Sequence, residues 1–126
     1  MTSKRSISNK IRKRLMSDRN IWFATVRPDG RPHLTPLWFV WYEEKYYVCI
    51  QPESIKAKNI AKNANVAISL EDGSNVVICE GKATAIHKPW PEAIQTIFLE
   101  KYDWTISTST DYTMLVEVTP ERWLIW

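Results

Sequence analysis

The stretch Arg31–Trp41, read as an extended strand, is apolar on both faces. His33, Thr35, Leu37, Phe39 and Trp41 point one way, and Leu34, Pro36, Trp38 and Val40 the other. A strand of an antiparallel sheet ordinarily keeps one wet face. Here both faces need cover, one from a barrel core and the other from a partner subunit, a ligand, or both. Pro32 and Pro36 cannot donate ladder hydrogen bonds, so part of this strand is expected on an edge, or with backbone groups free for another partner. Immediately upstream, Arg27-Pro28-Asp29-Gly30-Arg31 is a hairpin signal, because Pro presets the first turn position and Gly supplies positive φ.

Around this hairpin the remaining elements follow from pattern. Ser8–Ser17 reads as a short amphipathic helix capped by Ser6 or Ser8, with Ile11 and Leu15 four apart among basic residues. Its basic face could touch nucleic acid, but such a face is more often simply solvated. Strands are expected over Asn20–Arg27, Arg31–Trp41, Lys45–Gln51, Asn65–Leu70, Asn75–His87, Tyr112–Val118 and Arg122–Trp126. Gly81 suggests a bulge in the fifth, and Pro120 separates the last two. Helices are expected over Ser54–Asn63 and Pro89–Lys101, and a polar loop over Thr105–Asp111. The reading is mainly β with a few helices, a barrel of about six to seven antiparallel strands in one domain, 1–126, with the N-terminal helix (1–18) included.

Composition narrows the class. A chain of 126 residues suits one domain that buries about two-thirds of its unfolded surface without staples. The net charge of +3 suits an anionic ligand and is too small to argue for nucleic acid. Cys49 and Cys79 lie in apolar runs with no second ligand at metal spacing, so buried thiols in a reducing compartment are expected and no metal. There is no signal-length apolar segment and no run near the ~20 residues of a membrane span, so the expectation is a cytoplasmic protein with no membrane contact. Seven tryptophans exceed what a small core readily absorbs, so some are expected at an interface or a cofactor pocket.

The chemistry-bearing stretch is Ser54-Ile55-Lys56-Ala57-Lys58-Asn59-Ile60. Lys56 and Lys58 sit at the start of a helix, where cations are mildly unfavourable beside the partial positive charge. A phosphate would reverse that sign, meeting the Ser54 hydroxyl, free N–H groups and two ammonium groups. From the helix alone, solvated lysines are the plainer reading. A flat ligand lying against Thr35-Pro36-Leu37-Trp38 could send a phosphate tail to this helix. His33 and His87 show no triad arrangement. A hydrogen-bonded strand role is expected for His33 and exposure for His87. Only three glycines argue against a Gly-rich nucleotide loop.

The run Arg31-Pro32-His33-Leu34-Thr35-Pro36-Leu37-Trp38-Phe39-Val40, followed by Ser54-x-Lys56-x-Lys58-Asn59-Ile60, resembles the pyridoxamine 5′-phosphate oxidase-related proteins, which are FMN-binding split β-barrels. The hairpin at Pro28-Asp29-Gly30 and Glu80-Gly81-Lys82-Ala83 also fit, and the likeness extends from about Arg14 to Trp126. The resemblance implies a homodimer with FMN at the interface and two-electron flavin oxidoreductase chemistry on a small organic substrate. It implies that Thr35, Pro36, Leu37 and Trp38 follow the flavin ring and ribityl chain, with Cys49 and Ile50 nearby. Ser54, Lys56, Lys58 and Asn59 match positions near the phosphate. Relatives differ in having a basic residue where Ile55 stands and often Arg where Lys58 stands, and the oxidase's C-terminal Arg-x-His motif is absent. Oxidation of pyridoxamine phosphate is therefore not expected. Two alternatives stay open: an F420-dependent reductase of the same fold, and a non-catalytic flavin-, haem- or bilin-binding protein.

Overall fold

A computed structural model describes residues 3–4 and 6–126. The elements run β1 (Ser3–Lys4), α1 (Asn9–Ser17), β2 (Asn20–Val26), β3 (Pro32–Trp38), β4 (Val40–Tyr42), β5 (Lys45–Ile50), α2 (Ile55–Lys62), β6 (Asn65–Leu70), β7 (Val77–Ile86), α3 (Glu92–Tyr102) and β8 (Met114–Ile125). Seven strands form one antiparallel ribbon in the order β3-β2-β6-β7-β8-β5-β4, and β1 pairs with β8. The ribbon curls into a half-barrel. Its two ends, β3 and β4, are joined in the chain by Phe39 but not by a ladder, so the barrel is split.

Two cores share β5. Tyr46, Val48 and Ile50 point into the barrel with Phe23, Phe39, Ile68, Val116, Val118 and Trp123. Tyr47 and Cys49 point the other way, under α3, with Trp90, Ile94, Phe98, Tyr102 and Ile106. The helix is apolar at Ile94, Phe98 and Tyr102, four residues apart, which is the stripe a helix lays on a sheet. Helix α1 is tied down by two of its basic residues. Arg12 pairs with Glu44 at 2.7 Å, and Arg14 donates to the Asn75 carbonyl at 2.9 Å. Its cap is Ser8, which accepts from Ile11 N–H.

Three boundary expectations are corrected. The strand expected over Arg31–Trp41 is two strands, broken at Phe39. There the Tyr102 hydroxyl accepts from the Phe39 N–H at 3.0 Å, and the Lys101 ammonium donates to the Phe39 carbonyl at 3.0 Å. The backbone groups that would continue the ladder are taken by side chains of α3 instead. The two strands expected on either side of Pro120 are one, Met114–Ile125. Gly81 faces Pro120 in the ladder while Glu80 faces Arg122, so Glu121 is the extra residue of a bulge that accommodates the proline. The polar loop after α3 contains a 3₁₀ turn, Ile106–Thr108, because Ile106 is buried in the second core. Among the described residues no helix is long and apolar enough to cross a membrane.

Gly81 is fixed by proximity. A Cβ there would collide with the Thr119 carbonyl oxygen and lie 3.2 Å from Val118 Cγ1. Gly81→Ala is expected to lower stability by about 1–3 kcal/mol, because the obstacle is backbone that cannot rotate away. Urea unfolding followed by tryptophan fluorescence measures it. An unchanged midpoint would show that β8 can move aside.

Candidate functional site

The site is built on the edge strand β3. The Arg27 N–H donates to the Arg31 carbonyl at 3.0 Å, so the odd-numbered residues of β3 turn their backbone groups toward β2. Pro32 and Pro36 fall on the other parity, facing the open edge, where a missing N–H costs no ladder bond. The same parity directs the N–H groups of Leu34 and Trp38 to that edge. The sheet therefore ends in a strand with main-chain groups available to another molecule.

Side chains of β3 divide as the alternation requires. His33, Thr35 and Leu37 form a half-buried inner row, while Leu34, Pro36 and Trp38 are exposed on the outer one. In the inner row, His33 Nδ1 and Thr35 Oγ1 are buried and have no hydrogen-bond partner among the described residues. Buried polar atoms left unpaired cost about 1–3 kcal/mol each. Such a pair, two residues apart on an edge strand, marks a place where a polar ligand would be held.

Helix α2 packs on this end of the sheet through one buried polar contact. The Asn59 side-chain amide donates to Thr25 Oγ1 at 3.0 Å, and Thr25 faces His33 across the ladder. Both Asn59 (2% exposed) and Thr25 (1%) are buried. Asn59 thus orients α2 from beneath, with its side chain turned to the barrel. Ser54 caps the helix, accepting from the Ala57 N–H at 3.2 Å and donating to the Gln51 carbonyl at 2.7 Å. Lys56 is half-buried with no ion pair among the described residues, and burial pushes its pKa down. Lys58 is exposed. Burial first, then the charges of Arg27 and Lys56, hold the His33 imidazole below its ordinary pKa.

The far end of β3 opens into a cleft of about 660 Å³ lined by Asn20, Pro36, Leu37, Trp38, Cys49, Tyr102, Asp103, Trp104 and Tyr112. Cys49 is buried and its thiol is pushed up to about 12, so it stays protonated at neutral pH and lines the cleft as an apolar group. Ile50, its neighbour, is fully buried on the opposite face of β5, in the barrel core.

Of the residues expected at the site, the structure gathers Pro36, Leu37, Trp38 and Cys49 in the cleft. It brings Thr35 and Lys56 to the unpaired inner row, and sets Ser54 and Lys58 at the start of α2. Ile50 and Asn59 lie beneath these groups, with their side chains in the interior. Sequence reasoning missed the polar role of Thr25, although the inward parity of Ile21 and Phe23 already carried it. It also missed Tyr102 in the cleft, although the Ile94–Phe98–Tyr102 stripe put that residue on the packed face. Of the tryptophans, Trp41, Trp90 and Trp123 are buried, Trp104 is half-buried, and Trp22, Trp38 and Trp126 are exposed. His87 is exposed, as expected.

The His33 environment is directly testable. By NMR its imidazole should titrate with a midpoint below 6.5, and Lys56→Met should move that midpoint upward by part of the difference, because burial and Arg27 remain. A His held below its unfolded pKa binds fewer protons when folded, so stability falls as pH drops from 6.5 toward the folded midpoint. A midpoint at or above 6.5, or one unmoved by the substitution, would contradict this placement of Lys56.

Known proteins give this geometry its family. A family model described as pyridoxamine 5′-phosphate oxidase matches residues 7–126. Among solved structures, the heme storage protein HutZ from Vibrio cholerae aligns with a TM-score of 0.77 at 22% identity, covering 92% of both chains. An F420 reductase aligns with a TM-score of 0.72 at 23% identity, covering 89% of this chain and 94% of its own. The conserved protein Rv2991 from Mycobacterium tuberculosis aligns with a TM-score of 0.77 at 26% identity, covering 96% of this chain and 85% of its own. No curated protein sequence matches the chain. The structural likenesses are likenesses of fold, and they join proteins whose names point to different ligands. The family match runs through every strand of the split ribbon, the edge strand and the capped helix beside it: the chain belongs to the pyridoxamine 5′-phosphate oxidase family.

Proposed function

We propose that the chain is a flavin-dependent oxidoreductase that binds FMN along β3 and acts on a small organic substrate. The observation that carries this reading is the buried, unpartnered pair His33 Nδ1 and Thr35 Oγ1 on an edge strand, next to the half-buried Lys56. From His33 to Trp38 is five strand steps of about 3.4 Å, roughly 17 Å, a span that suits a flat ring with a phosphate tail. When bound, the flavin supplies reversible two-electron transfer.

The chain's own tasks follow from position. Lys56, with Ser54 and Lys58 at the start of α2, would balance a phosphate where helix N–H groups add partial positive charge. Thr35 and the open-edge backbone of β3 would hydrogen-bond the polar parts of the cofactor. Leu37, Trp38 and the neutral Cys49 would exclude water from its ring. Asn59 holds α2 in place through Thr25, and Ile50 backs β5 from the core. A second copy is proposed to cover the outer row: Trp22, Leu34 and Trp38 are large, apolar and exposed on this one end of the sheet. A homodimer with the cofactor in its seam would cover both faces of β3.

The deazaflavin F420 is the second reading, because it too presents a flat ring and a phosphate to the same strip. Storage of a flavin, haem or bilin without turnover is a third, distinguished by binding without reduction of the ligand by any donor.

Titration of the purified protein with FMN and with F420, followed by absorbance and fluorescence, tests the reading. FMN is expected to bind and yellow the protein. Lys56→Met is expected to weaken FMN binding by roughly tenfold or more, as loss of a charge-assisted phosphate contact should, and Lys58→Met by less, since Lys58 is already solvated. Tight F420 binding without FMN binding would shift the reading to the reductase. A colourless protein that takes up neither would refute both.

A further inference from the structure

Where α1, β4 and α3 meet, there is a cavity that the cofactor reading leaves unused. Its volume is about 360 Å³, and it is lined by Met16, Ser17, Trp41, Ile97, Glu100 and Lys101. It shares none of these residues with the cleft at Trp38. Trp41 is buried, Ile97 is half-buried, and Met16 is 63% exposed. The lining is therefore carbon-rich, with one half-buried amine in its wall.

That amine is held without a carboxylate. Lys101 Nζ donates to the Phe39 carbonyl at 3.0 Å and lies 3.9 Å from the Phe39 ring centroid and 5.3 Å from that of Tyr102. It makes no ion pair among the described residues. Burial pushes its pKa down to about 8; the Asp18 charge opposes that shift and the Arg19 charge adds to it. Glu100 is the other ionisable group of the lining and is exposed. At pH 7 a lysine of pKa about 8 is roughly one-tenth neutral amine, against less than about a thousandth for a solvated lysine. A desolvated lysine beside an apolar cavity is the arrangement that amine nucleophiles require.

We propose that Lys101 is a nucleophilic site that captures a small apolar aldehyde in the cavity between α1 and α3. The Nζ lone pair attacks the carbonyl carbon. The two amine hydrogens leave with the carbonyl oxygen as water, and an imine remains. No oxidant, reductant or cofactor enters the step, so it stands independently of the flavin reading. Met16, Trp41 and Ile97 surround the carbon chain of the aldehyde. The neutral imine nitrogen has no hydrogen to donate, so capture also frees the Phe39 carbonyl that Lys101 holds.

Reductive trapping tests the proposal. The purified protein is treated with hexanal and cyanoborohydride at pH 7, and the modified lysines are located by peptide mass spectrometry. Lys101 is expected to react about tenfold or more faster than the exposed Lys10, Lys13 and Lys62. Raising the pH to 9 should shrink that preference roughly tenfold, because solvated lysines then gain proportionally more free amine. Glyoxylate, an aldehyde that carries a charge, should lose most of the preference. Met16→Gln, at an exposed position, should slow capture of hexanal at Lys101 roughly threefold and leave Lys10 unchanged. Lys101→Arg should abolish the fast phase of total uptake while tryptophan fluorescence reports a native fold. Even labelling of all lysines by hexanal at pH 7 would overturn the proposal. So would a preference that glyoxylate keeps in full, or one that Met16→Gln leaves unmoved, since the cavity would then play no part.

Discussion

The Tyr102 hydroxyl and the Lys101 ammonium, both from the last turn of α3, hold the backbone of Phe39. Most of what distinguishes this molecule depends on that clamp. It takes up the Phe39 backbone groups that would extend the β2–β3 ladder, at the point where the chain passes from one edge strand of the split ribbon, β3, to the other, β4. Lys101 sits 3.9 Å from the Phe39 ring centroid, and burial pushes its pKa down to about 8. The Asp18 charge opposes that shift, and the ammonium donates to the Phe39 carbonyl and faces the Phe39 and Tyr102 rings. The same helix turn presents Tyr102 to Trp38, so the residue that holds Phe39 also builds the back wall of the cleft.

An edge strand is normally a hazard, because its unpaired groups invite aggregation. Here the prolines at 32 and 36 remove two of the open-edge donors, and the Arg27 guanidinium donates to the Pro32 carbonyl at 2.8 Å. What remains open lies between a buried polar row at one end and an aromatic cleft at the other. At the first end the charges of Arg27 and Lys56 add to burial in holding the His33 pKa down, and at the second Trp38, Tyr102, Trp104 and Tyr112 line the cleft.

Much of this was legible in the residues because the signals were local. Pro28-Asp29-Gly30 sets a turn, with Gly30 at a φ of 90°, whatever the rest of the chain does. Ser54 caps α2 with its own hydroxyl, and Asn65–Leu70 alternates cleanly. The failures were all long-range. The break at Phe39 is made by Tyr102, 63 residues on, and nothing near Phe39 announces it. The continuity of β8 through Pro120 depends on Gly81 lying opposite. The buried hydrogen bond from Asn59, which matches a position near the phosphate, to Thr25 joins residues 34 apart and is equally silent in the local sequence. The aromatic cleft joins Trp38 of β3, Tyr102 of α3, and Trp104 and Tyr112 of the segment before β8, a meeting that no spacing encodes.

The central claim is that β3, between the Lys56 end and the Trp38 end, is the face on which the cofactor lies. The most direct test is a map of backbone amide shifts in the ¹H–¹⁵N NMR spectrum as FMN is added, with F420 in parallel. The account predicts that the largest changes fall on Leu34 to Trp38, on the first turn of α2 and on Thr25. Changes confined to α1 or to the β7–β8 bulge, with β3 unmoved, would contradict it.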